Sequence, residues 1–114
     1  MSREWTLYVA DMVACCDRVL TYMEGAARDV FDQHGMVYDA TVRNLELLGE
    51  AANQLPDDVR ARAPEIDWRP LIALRHILIH AYFGIDDDIL WDLVQNKVGP
   101  LKTALQALLA SGEQ

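Results

Sequence analysis

Cysteine is scarce in this chain: Cys15 and Cys16, side by side, are the only two in 114 residues. On a helical pattern neighbours point about 100° apart, which places the two sulfurs poorly for a disulfide with each other. A pair of buried thiols in a reducing compartment is the expectation, not a cross-linked secreted scaffold. Long apolar runs are missing as well. None approaches the roughly 18 to 20 residues needed to span a bilayer, so no membrane association is expected. The opening MSREWTLYVADM has acidic and aromatic residues where a signal peptide needs a basic start and an apolar stretch. A cytoplasmic protein is therefore expected. Positive charge is also in short supply, with 10 Lys and Arg against 18 Asp and Glu, for a net charge of −8. Such a chain repels polyanions at long range, so any RNA chemistry must rest on a local basic site or on a partner that supplies charge. Sustained strand alternation, internal repeats, low-complexity tracts and glycine-rich phosphate loops are all absent. No serine or cysteine has a convincing partner for nucleophilic catalysis.

The apolar fraction of 52% and the charged fraction of 25% belong to an ordinary globular chain, and the length suits one domain over residues 1–114. A first helix is predicted from about Arg3 to Glu24. Its stripe is Trp5, Tyr8, Val9, Met12, Cys16, Val19, Leu20 and Met23, and Gly25 ends it. AARDVFDQHG reads as a short helical connector closed by Gly35. A second helix spans about Val37 to Leu55, where Gly49, Ala51 and Ala52 would let another helix approach closely. Arg43, Glu46 and Glu50 gather on its other side, where charges usually meet water. Pro56 stops it, and PDDVRARAPEI connects onward with one short turn of helix. The third helix starts after Asp67 and runs from Trp68 to about Tyr82, with Gly84 closing it. The fourth is capped by Asp86, with Ile85 stapling to Leu90, and is expected to kink near Gly99-Pro100 before continuing to Ala110. The fold class is therefore all-α: an up-and-down four-helix bundle with short connecting helices.

The third helix carries an anomaly, RHILIHAY at residues 75–82. With Arg75 as the zero of a helical wheel, Tyr82, Leu71 and Leu78 fall at roughly −20°, −40° and −60°, and Ile79 and Ile72 at roughly +40° and +60°. Arg75 and Tyr82 thus sit within the apolar stripe, while His76 and His80 project together one turn apart. An unpaired buried guanidinium is costly, so the arrangement needs a cause. Arg75 could snorkel to the end of the bundle, pair with Glu50 or Glu46 from another helix, or line a cleft at a subunit interface. His76 and His80 at i and i+4 could in principle hold a metal. The metalloprotease pattern, however, needs a glutamate where Ile77 stands, His34 is distant, and no third ligand is evident. Neither a metal nor another cofactor is expected.

Arg75, His80 and Tyr82 form R-x4-H-x-Y, which resembles the signature of the HepT-like branch of HEPN-domain proteins, toxin components of prokaryotic toxin–antitoxin pairs. The similarity extends to NLELLGEAANQL (Asn44 to Leu55), to W-x6-R from Trp68 to Arg75, and to HAYFGID and the LWDLV helix. It covers the chain from about Leu7 to Leu108. The resemblance implies a single HEPN domain that forms a homodimer in which the Arg and His of both subunits face one cleft. It implies metal-independent endoribonuclease activity on RNA, on tRNA or mRNA, with Arg75 and His80 as the catalytic residues. His76 would orient the phosphate or the arginine. It further implies a type VII-like toxin–antitoxin system, in which an MntA-like nucleotidyltransferase antitoxin transfers AMP to Tyr82. The alternative it leaves open is a non-catalytic helical module that serves such a nucleotidyltransferase as a substrate-recognition or regulatory partner.

Overall fold

A computed structural model describes residues 4–80, 84 and 86–112. The first helix, α1 (Trp5–Met23), buries Val9, Met12, Cys15, Cys16, Val19 and Met23, the three- and four-residue spacing that makes one helix face apolar. Gly25 follows it with φ of 69°, a left-handed conformation that costs a residue without a Cβ little.

The connector contains α2 (Arg28–Asp32), whose Phe31 is fully buried. Gly35 does not close this connector as the sequence suggests. Its backbone is extended, and it stands as the N-cap of α3 (Met36–Asn53). His34 takes the left-handed turn instead, at φ of 55°. Two contacts hold it there: its ring stacks on Tyr38 at 3.8 Å between centroids, and its Nε2 lies 2.7 Å from Asp87 Oδ2. The stack and the polar contact offset the strain of a non-glycine residue in that region.

Helix α3 is buried on two sides. Tyr38, Thr41, Leu45, Leu48 and Ala52 form one apolar face, while Asn44, Gly49 and Ala51 are buried beside it. Packing explains this: α3 lies between α1 and α5 (Trp68–His80). Pro56 ends the segment and leads into the short α4 (Asp57–Arg60). The indole of Trp68 donates to the carbonyl oxygens of Arg60 and Ala63, both at 3.0 Å, tying this connector to the start of α5. The sequence places the end of α5 near Tyr82, and Ala81, Tyr82 and Phe83 lie outside the described residues, as does the staple position Ile85.

Helix α6 (Asp87–Asp92) begins as expected, with the Asp86 carboxylate accepting from the amides of Asp88 at 2.9 Å and Ile89 at 3.4 Å. A π turn over Leu93–Lys97 joins it to α7 (Val98–Gly112), and the Val98 amide donates to the carbonyl of Leu93, five residues back. This irregularity immediately precedes Gly99-Pro100. A proline lacks the amide and clashes with the carbonyl four residues before it, and a widened turn just upstream relieves both.

Helix α1 in turn lies between α3 and α7, so the order in space is α5, α3, α1, α7. The core runs along the middle of this row, through Val9, Met12, Leu45, Leu48, Val98 and Leu105. Burying each such side chain contributes on the order of 1.5–3 kcal/mol. The fold is all-α, with no strand among the described residues. Helix α5 stands at one edge of it.

Candidate active site on the outer face of α5

An edge helix needs only one apolar face. Of the 13 residues in α5, Leu71 and Leu78 are the buried ones. Both lie on the negative side of the helical wheel, and that side packs on α3. On the positive side Ile72 is half-buried against the core while Ile79 is 40% exposed; Ile77, on the far side of the wheel from Arg75, is 50% exposed, and Arg75, His76 and His80 are exposed with them. Arg75 therefore stands at the boundary between the packed and open sides, not in the middle of a buried stripe. The apolar pattern reads as one face because a wheel does not know where the neighbouring helix ends.

The arginine is paired. Its Nε lies 3.2 Å from Glu50 Oε2 across the α3–α5 contact, with the two side chains 53% and 46% exposed. Of the readings the sequence leaves open, the described geometry matches a cross-helix ion pair. Glu50 does not simply meet water, as its position beside Arg43 and Glu46 suggests. The local cause is Gly49. A Cβ built there would come within 2.9 Å of the Arg75 amide nitrogen and 3.0 Å of the Leu71 carbonyl oxygen. Glycine thus permits the two backbones to touch and brings its neighbour Glu50 within reach of α5. The close approach inferred from Gly49-x-Ala51-Ala52 occurs here. Gln54, which sequence reasoning missed, donates from Nε2 to the other Glu50 oxygen, Oε1, at 3.4 Å. Its signal was its place one helical turn after Glu50 on the same helix.

His76 and His80 are brought together, their rings 4.3 Å apart between centroids and tilted by 45°. Glu46, the other carboxylate considered for Arg75, instead accepts from Arg43 at 3.4 Å. Among the described residues, no group of three or more His, Cys, Asp or Glu is gathered as a metal-binding set would be. None of the helices described is long and apolar enough to cross a membrane. The thiols lie elsewhere, buried in α1, and burial pushes the Cys16 thiol up to about 12, with the neighbouring Cys15 adding to it.

An exposed arginine, paired with a carboxylate from α3, and an exposed histidine five residues on thus stand roughly 140° apart around an edge helix. Residues 12–108 match the family described as Ribonuclease HepT-like. The chain belongs to that family. Similar proteins include "Putative RNase MJ1380" of Methanocaldococcus jannaschii, 31% identical over 104 residues, which cover 91% of this chain and 95% of the relative. "Putative RNase MJ0127" of the same organism is 34% identical over 80% of this chain and 75% of its own length. "Probable ribonuclease HepT" of Thermococcus cleftensis is 42% identical over 69 residues, 60% of this chain and 63% of that protein. No solved structure matches the chain. Arg75 and His80, the residues the resemblance singles out, stand on α5, and Tyr82 lies outside the described residues.

Proposed function

We propose that this HepT-like chain is a metal-independent endoribonuclease that works as a homodimer, and that it is the toxin of a type VII-like toxin–antitoxin pair. The observation that carries the reading is the composition of the outer α5 face: Arg75, His76 and His80 exposed among the exposed isoleucines Ile77 and Ile79. Large apolar side chains beside charged ones on an edge helix are what a surface that meets a partner contains. Within one chain Arg75 and His80 diverge by roughly 140° around the helix, so a single copy does not aim both at one phosphate. A second copy across a twofold axis supplies the complement.

The chemistry follows from the side chains. A neutral His80 imidazole takes the proton of a ribose 2′-hydroxyl as its oxygen bonds to the adjacent phosphorus. The bond from phosphorus to the 5′-oxygen breaks, and a protonated imidazole gives that oxygen its proton. The products are a 2′,3′-cyclic phosphate and a free 5′-hydroxyl. Imidazole suits both steps because it titrates near working pH. The Arg75 guanidinium, its Nε edge held by Glu50, offers its terminal nitrogens to the extra negative charge on phosphorus, and His76 orients the phosphate. An MntA-like nucleotidyltransferase antitoxin would silence this site by joining the Tyr82 oxygen to the α-phosphorus of ATP with release of pyrophosphate. The added nucleotide would sit two residues from His80 and repel RNA.

Cleavage of RNA by the purified protein tests the reading. Arg75→Ala is expected to lower the rate by about 10²–10³-fold and His80→Ala by about 10²–10⁴-fold, with EDTA without effect. Wild type that leaves RNA as intact as both variants do would favour the non-catalytic module, a reading the net charge of −8 supports. Mass spectrometry after co-expression with the adjacent nucleotidyltransferase gene should find AMP on Tyr82.

A further inference from the structure

A cleft of about 530 Å³ opens between α1 and α3 with Glu50 in its wall, but the polar side chains around it, Tyr8, Asp11 and Arg18, already have partners. The same holds for nearly every described cation. Nine of the ten Lys and Arg residues lie among the described residues. Arg28, Arg43, Arg60, Arg75, Lys97 and Lys102 each meet a carboxylate. Arg18 donates to Asn44 at 3.2 Å, and the Arg62 guanidinium lies 5.1 Å from the centre of the Trp5 ring. Arg69 is the one that remains. It is exposed, with no ion pair, hydrogen bond or ring contact among the described residues.

Arg69 also stands in line with the histidines of the candidate site. On the wheel that has Arg75 at zero it falls at roughly +120°, between His76 at roughly +100° and His80 at roughly +140°. Ala73, at roughly +160°, puts only a methyl group beside this line between Arg69 and His76. All three polar residues are exposed on α5, and the 4.3 Å between the His76 and His80 rings marks this side as one row. Along the helix axis Arg69 lies about 10 Å from His76 and about 16 Å from His80. Taking the ribonuclease reading as given, we propose that Arg69 binds a second phosphate of the RNA strand, a few nucleotides from the scissile one, so that the strand runs along α5.

An unpaired, exposed guanidinium is what that role needs. Its planar fork gives two parallel N–H donors to phosphate oxygens. Arg69 breaks no existing bond to do so, whereas Arg28 or Arg60 would first have to leave a carboxylate. The carboxylates nearest in sequence, Glu65 and Asp67, precede the helix, and neither pairs with Arg69. The position is also held in register. Trp68, directly before Arg69, donates its indole N–H to the carbonyl oxygens of Arg60 and Ala63, both at 3.0 Å, which fixes the first turn of α5. In a chain with a net charge of −8 there is little general attraction for RNA. One cation left without a counter-charge, in line with the histidines, therefore gives the strand a preferred track.

Steady-state cleavage of a labelled single-stranded RNA by the intact chain, with binding followed separately by fluorescence anisotropy, tests this. Arg69→Gln is expected to raise KM and the dissociation constant about tenfold, with kcat little changed. The slope of log affinity against log salt should become shallower by about 0.7. Arg69→Lys, which keeps the charge without the fork, should recover part of the loss. Arg43→Gln removes the same charge from α3 and should have no comparable effect. An uncharged methylphosphonate linkage moved along the RNA should weaken binding by wild type at one position away from the cut, and Arg69→Gln should be insensitive there. An unchanged thermal midpoint in Arg69→Gln ties these effects to the side chain. A wild-type KM in Arg69→Gln, or an equal rise in Arg43→Gln, would overturn the subsite and leave the ribonuclease reading standing. A loss confined to kcat would overturn it too, because it would place Arg69 in the chemistry. Wild type that cuts no RNA but binds it more tightly than Arg69→Gln does would keep the subsite and sink the ribonuclease reading. RNA neither cut nor bound in an Arg69-dependent way would remove both.

Discussion

Glu50 is the residue whose role changes most between sequence and structure. Its ion pair with Arg75 is half exposed on both sides, and pairs of that kind contribute about 1 kcal/mol or less to stability. Holding the fold is therefore not its main effect. In the proposed site its role is to position the guanidinium, whose Nε lies 3.2 Å from the Glu50 carboxylate. Glu50→Gln should leave the thermal midpoint nearly unchanged while lowering the turnover number for RNA cleavage by about 10- to 100-fold. A comparable loss of kcat in Glu50→Asp, or a large fall in stability, would speak against positioning. Cys16 makes a second argument at this scale. Its thiol is disfavoured as a thiolate in the folded chain, so the unfolded chain ionises first, from the ordinary value of 9.0, and the folded one only at about 12. Across that window the folded state binds more protons, so stability is full below about pH 9 and falls as pH rises toward 12. Urea midpoints of wild type should drop more between mildly alkaline and strongly alkaline buffer than those of Cys16→Ala.

At the scale of elements, the α3–α5 contact is decisive. Gly49 lets the α5 backbone come so close that a Cβ would stand 2.9 Å from the Arg75 amide. The atoms it would strike are backbone, which cannot swing away. Gly49→Ala is expected to cost about 1–3 kcal/mol in chemical denaturation, and to lower RNA cleavage further by pushing Arg75 from Glu50. The same helices show how far pattern reading reaches. The three- and four-residue stripes of α1 and α3, the Asp86 cap and the stop at Pro56 were all legible, because each depends on residues within a turn of one another. The conformation of His34 was not, since it rests on a stack with Tyr38 and a contact with Asp87, 53 residues away. Pro100 signals an irregularity near the start of α7, but its form, a π turn over Leu93–Lys97, was not legible.

For the molecule as a whole, the placement of α5 at the edge of the row decides what function is open to it. Among the described residues α5 packs on α3 and leaves Ile77, Ile79, Arg75 and His80 exposed, and in the proposed homodimer a second copy would complete the site. Activity per protomer should therefore fall as the protein is diluted below the dissociation constant of its dimer, with the loss tracking the sedimentation shift from dimer to monomer. A rate per protomer that stays constant across that shift would rule out a shared site. The acidic charge of −8 acts at this scale too. It weakens long-range attraction for RNA, so cleavage should depend on local contacts and respond only mildly to salt.

The amino-acid sequence determined the helices, most of their ends and the residues able to do chemistry, since those follow from spacing, capping and side-chain type along a single segment. Tertiary structure alone decided that Arg75 and Ile79 of the α5 stripe are left exposed, that Glu50 crosses to Arg75, and that a cleft opens beside them. Those features depend on which helices are neighbours and how closely they approach, and the distance between two backbones is written in neither helix by itself.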